Sequence, residues 1–217
     1  MFSNMREWQE KYLQDATTDR FGIPFCPTVI YEIPKKLISW EEAHNCHDHN
    51  AWVHFYLDDS KFTKTWNDPE GAIELLSHFK GIITPDYSTY ADFPIALKKA
   101  NTFRMRAFGY LAAKRGLGVI NNLRWGDSNT YDFSFSGLPH NSTLAIGTVG
   151  GNPRSLENRE RFNSGLMAAV EELSPHTLLI YGSSKYPIFT ELKEKGIYII
   201  TYQGHTASVF ESRRSHV

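Results

Sequence analysis

The sequence predicts an α/β protein with a mostly parallel sheet flanked by helices. Short β-branched and aromatic runs recur along the chain, amphipathic helical stretches alternate with them, and polar or glycine-bearing clusters follow the runs. An open, doubly wound sheet with an antiparallel edge hairpin is the first expectation, and a (β/α) barrel-like closure is the alternative. The 217 residues are read as a single domain, 1–217, because no repeat, low-complexity tract or linker divides them.

In chain order, residues 4–15 fit a helix with Met5, Trp8 and Tyr12 on one side, and a Gly- and Pro-bearing connector runs to residue 27. The run 28–33 has strand composition. Ser39 with Glu42 forms a capping-box signature ahead of a short helix. Residues 51–59 read as a buried strand ending in two carboxylates, and Asp68-Pro69 opens a helix. "GIIT" is a strand, followed by Pro85-Asp86-Tyr87-Ser88. The longest helix is expected from about Asp92 to Gly116, with Ala96, Ala100, Phe103, Ala107, Tyr110 and Leu111 against the sheet. "LGVINNL" is the next strand, and "YDFSFSG" alternates like an edge strand. Strands over 143–149, 177–182 and 197–201 alternate with a helix capped by Ser155 and another over 187–195. A hairpin about Gln203-Gly204 closes the reading.

Composition excludes some functions. The net charge is −1, so no global field draws nucleic acid or an anionic membrane. No apolar run spans a bilayer, and the charged N-terminus is unlike a signal peptide, so a soluble cytoplasmic protein with no membrane partner is expected. Two cysteines, Cys26 and Cys46, give no disulfide framework.

In parallel α/β folds ligands bind at the carboxyl ends of strands, whichever way the sheet closes. Asp59, Asp86 and Asp127 follow three of these strands and suit Mg or Mn, with phosphoryl-transfer or hydrolytic chemistry as the consequence. Asp is also an ordinary cap and turn residue there. Arg106 and Arg124 would neutralise phosphate, and Tyr87 and Trp125 would stack a base. Ser88, Gly150 and Gly151 complete the ligand-binding set, the glycines offering backbone amides ahead of a helix or simply serving the turn. The helix 98–115 is basic and would either contact a nucleic-acid backbone or present a solvated face. The His-rich segment 44–54 matches no zinc spacing, and no nucleophile with a base is found.

The strings "VHFYLDDSKFTKTWNDP", "GIITPDYSTYADFPIALKKANTFRMRAFGYLAAKRGLGVINNLRWGD", "YDFSFSGLP" and "IGTVGG" resemble a bacterial and phage family catalogued as domain of unknown function 4417, over residues 52–183. The resemblance carries no activity. It implies a protein of phages or mobile elements and concentrates on Asp59, Trp66, Pro85, Asp86, Ser88, Tyr90, Arg106, Trp125, Gly126 and Gly137. The functional expectation is nucleotide or nucleic-acid processing at the strand ends. The alternatives are a non-enzymatic binder of a nucleotide signal, nucleic acid or host protein, and a carbohydrate-active enzyme with paired carboxylates.

Overall fold

Period-two alternation in the apolar runs gives two faces to one sheet. The computed structural model describes residues 2–149 and 155–204. Its strands are β1 (Leu37–Ser39), β2 (Trp52–His54), β3 (Gly81–Ile83), β4 (Gly118–Asn122), β5 (Thr143–Gly147), β6 (Thr177–Tyr181) and β7 (Tyr198–Tyr202). They form a single seven-stranded sheet in chain order, with every neighbouring pair parallel. The helices are α1 (Phe2–Glu7), α2 (Trp40–Ala43), α3 (Lys64–Asn67), α4 (Pro69–Leu76), α5 (Ile95–Lys114), α6 (Tyr131–Ser134), α7 (Leu156–Leu173) and α8 (Pro187–Glu194).

Strand order without reversal decides the form of the α/β fold. Right-handed crossovers that always advance one strand in the same direction put every helix on the same face, and the sheet curls into a half-barrel. The doubly wound arrangement would need a reversal of order, which is absent among the described strands. Side chains confirm the two faces. Ile82, Val119, Leu144 and Leu178 point outward into the helix layer, whereas Ile83, Ile120, Ala145 and Leu179 gather with Trp52 in an inner cluster.

Trp52 fills the interior across two glycines. A Cβ on Gly81 or Gly118 would lie 2.6 or 2.7 Å from its indole, so both strands need glycine for the ring to cross them. The run 28–33 does not become a strand of the parallel sheet. Val29 makes one antiparallel bridge to Val119, where β5 has not yet reached β4. Pro34 O accepts from Tyr202 Oη at 2.6 Å, tying this segment to β7.

Local signals are realised where they are chemical. Ser39 and Glu42 form the capping box, and Asp68 and Ser155 accept from Gly71 N and Asn158 N. Other expectations are corrected. Residues 128–134 form a 3-10 turn and α6 rather than an edge strand, and α5 begins at Ile95 without a side-chain cap. Ala96 is exposed, and the buried side of α5 carries Lys98, Asn101, Thr102 and Arg106 beside Met105 and Phe108. Polar residues face inward there because loop carbonyls need donors. The return strand of the closing hairpin, beyond Gly204, falls on residues outside those described. Cys26 and Cys46 are free thiols.

Candidate functional site

The loops at the carboxyl ends of β3 and β4 are held by the buried polar side of α5, and the loop after β2 is tied to them through Ser88. Lys98 Nζ donates to Ala91 O at 2.8 Å and lies 3.4 Å from Asp127 Oδ2, and Asn101 Nδ2 donates to Ser88 O at 2.6 Å. Ser88 returns its own N–H and hydroxyl to Asp59. Arg106, fully buried, donates to Ser134 O at 2.8 Å and Ser136 O at 3.0 Å, with Asn122 O at 3.5 Å. Burial pulls its guanidinium down to about 10.

These bonds assign different roles from those read in the sequence. Arg106 is a structural anchor with no exposure to a phosphate. Tyr87 is buried and its hydroxyl lies 2.9 Å from Thr65 Oγ1, so it stacks no base. Asp127 is taken by Lys98 and by the N–H of Asn129 at 3.2 Å, away from the other two aspartates. No group of three His, Cys, Asp or Glu side chains among the described residues is placed to hold a metal ion, so Asp59, Asp86 and Asp127 are not gathered into one cluster. The basic helix has no free basic face. Beyond Lys98 and Arg106, Lys114 pairs with Asp15 and Arg115 with Glu70, while Lys99 and Arg104 lie over aromatic rings. Gly150 and Gly151 lie outside the described residues.

Asp86 and Arg124 do come together, and Arg124 and Trp125 share a cleft, with partners the sequence reading did not single out, whereas Ser88 is tied to Asp59. Asp86 Oδ1 accepts from Asn122 Nδ2 at 2.7 Å, and its Oδ2 lies 3.3 Å from Arg124 Nη1. Asn122 Oδ1 accepts from Tyr56 Oη at 3.0 Å. Tyr56 crosses the mouth of the half-barrel to stack on Tyr181, with ring centres 4.8 Å apart, and His54 packs on the same ring. Gly147 permits the crossing, since a Cβ there would lie 2.7 Å from Tyr56. Burial pushes the Asp86 carboxyl from 3.8 up to about 6 against the opposing pull of Arg124 and Asn122, with Asp59 adding to the rise. Burial likewise holds the Tyr56 hydroxyl well above its ordinary value.

Beside this relay lies a cleft of about 630 Å³ at the ends of β3, β4 and β5, walled by Tyr90, Arg124, Trp125, Asn158, Arg161 and Phe162. Arg124 also lies over the Tyr90 ring, 5.7 Å from its centre. Asn158 and Arg161 come from the first two turns of α7, capped by Ser155. Gly165 makes room for the Trp125 indole. The sequence signal for Arg161 was available only as its place in the helix that follows β5, since nothing in its local string marks it. The His-rich segment builds no site: His44 Nδ1 pairs with Trp40 O at 2.9 Å, and His49 stacks near His78.

The chain is an α/β protein: a parallel half-barrel with a mixed cationic and aromatic cleft at its strand ends. The chain belongs to the family described as domain of unknown function (DUF4417), whose model matches residues 17–203. The match reaches further than residues 52–183 and takes in the His-rich segment. The chain is 32% identical over 134 residues to the Gene 1 protein of Mycobacterium phage L5, covering 62% of this chain and 58% of that one. It is 29% identical over 177 residues to the Gene 1 protein of Mycobacterium phage D29, covering 78% and 63%. The chain thus spans less than two thirds of the length of these phage relatives. No solved structure matches it significantly. Among the described residues no helix is long and apolar enough to cross a membrane.

Proposed function

We propose that this phage-type protein binds a nucleotide in the cleft beside Arg124 and processes it there, with Asp86 as the proton-transfer group. The single observation that carries this reading is that two arginines and three aromatic rings line one cleft sized for a single nucleotide. Arginine suits phosphate through its planar donors, and Tyr90 and Trp125 offer ring faces for a base. On the long helix Lys98 and Arg106 are buried and Lys114 and Arg115 are ion-paired, which interrupts the continuous cationic stripe that tracking along a nucleic-acid backbone needs.

Asp86 supports processing over simple capture. It is buried between Asn122 and Arg124 and titrates at about 6, where a carboxyl exchanges protons near neutral pH. Isothermal titration with the common nucleoside mono-, di- and triphosphates tests the binding, and Arg161→Gln is the control variant. A loss of about tenfold in affinity in that variant is expected. No heat with any nucleotide, or unchanged affinity in Arg161→Gln, defeats the proposal. Chromatography of the ligand after incubation separates the two modes: unchanged nucleotide assigns the protein to the binders.

A further inference from the structure

Arg124 is shared between the buried carboxylate and the cleft. It meets Asp86 through one nitrogen at 3.3 Å, and no other hydrogen bond of its guanidinium is formed among the described residues, although the side chain lines the cleft. Asp86 stays fixed without it, because Asn122 Nδ2 holds the opposite oxygen at 2.7 Å. Arg161 adds a second cation whose Glu157 partner is 81% exposed, so that pairing is weakened by solvent. Thr89 also lines the cleft, and its buried Oγ1 meets no partner among the described residues.

Charge matching then distinguishes two kinds of phosphate. With Asp86 ionised, Arg124, Arg161 and Asp86 sum to a single net positive charge beside the cleft, the Glu157 charge lying out in solvent on Arg161. With Asp86 protonated they leave two. A phosphodiester carries one negative charge, whereas a terminal phosphate monoester carries nearly two at neutral pH. We propose that the cleft takes a terminal phosphate monoester as its dianion, and that Asp86 accepts a proton from solvent as Arg124 turns its charge to that phosphate.

The groups that face Asp86 set this balance. Arg124 and Asn122, at the end of β4, favour the carboxylate; Asp59 and Tyr56, which follow β2, face it from the other side, and the Asp59 charge and burial favour the acid. An anion bound at Arg124 removes much of the first influence and leaves the second intact. The carboxyl then holds its proton at neutral pH.

This inference rests on the reading of the cleft as a nucleotide site. The test is calorimetry on the full chain at pH 7.5 with the four common nucleoside 5′-monophosphates and their phosphate methyl esters. Two phosphate-free buffers of different ionisation enthalpy report proton uptake. The monoester is expected to bind about tenfold or more tighter than its methyl ester. Its apparent enthalpy should differ between buffers by an amount equal to uptake of more than half a proton. Asp86→Asn should bind the monoester without proton uptake, while the wild-type comparison decides the matter even if that variant folds poorly. Equal affinity for monoester and methyl ester, or a buffer-independent wild-type enthalpy, overturns the inference while leaving the nucleotide site standing. Absence of binding by every compound overturns the nucleotide site itself, and this inference with it.

Discussion

Replacing Asp86 by Asn should reverse the usual expectation that removing a buried ion pair destabilises a protein near neutral pH. The folded carboxyl titrates at about 6 and the unfolded one near 3.8, so the native state holds the proton more tightly. The resulting stability is fully present below about pH 4 and is lost as pH rises through 6. The interval corresponds to about 3 kcal/mol, and the Asp86 side chain is 9% exposed, which limits solvent screening. Asn at this position keeps an oxygen for Asn122 and carries no charge at any pH.

Urea unfolding of both proteins from pH 4.5 to 7.5 measures the effect. The stability of Asp86→Asn relative to wild type should rise by about 1.4 kcal/mol per pH unit up to pH 6 and level off above it. Between pH 4.5 and 7 this amounts to about 2 kcal/mol, or about 1 M in the urea midpoint at an ordinary slope for a chain of this size. A flat difference refutes the argument. A difference of opposite slope would show that Arg124 and Asn122 outweigh burial and hold Asp86 ionised.

Three further outcomes follow from the packing. Arg106→Met keeps most of the side-chain volume but strands the carbonyls of Ser134 and Ser136, and should cost about 3 kcal/mol by chemical denaturation; a loss below about 1 kcal/mol would mean that water takes over those carbonyls. Gly118→Ala would place a Cβ 2.6 Å from Lys80 O and against the Trp52 indole, so a loss of about 2–4 kcal/mol is expected, and a thermal midpoint equal to wild type would contradict the interior position of Trp52. Gly165→Ala would displace Trp125 from the cleft wall; nucleotide affinity by calorimetry should fall about tenfold with a smaller change in stability, and unchanged affinity would remove Trp125 from the site.

The capping residues Ser39, Asp68 and Ser155 were legible in the sequence because a cap is a short-range bond between a side chain and an amide three residues away. Asp86, Arg124 and Trp125 were legible as a location, since each follows a strand of a parallel sheet. Their company was not. Tyr56, Tyr181 and Arg161 enter from separate elements, and their approach depends on strand order and on glycines at 147 and 165 that clear the way. The misreadings of Arg106 and Lys98 have one cause: a basic run on a helix carries no mark of which side is buried when loop carbonyls replace solvent as acceptors.

By itself the sequence determined the α/β class and the positions of six of the seven parallel strands. Alternation of apolar runs with amphipathic stretches suffices for that, because burial on two faces demands it. Tertiary structure alone decided between an open reversal and a half-barrel, since strand order is a matter of which neighbour each strand finds. It also decided which charges remain available. Lys98, Arg106 and Asp127 are spent on holding loops in place, whereas Arg124, in contact with Asp86 through a single nitrogen, still faces the cleft.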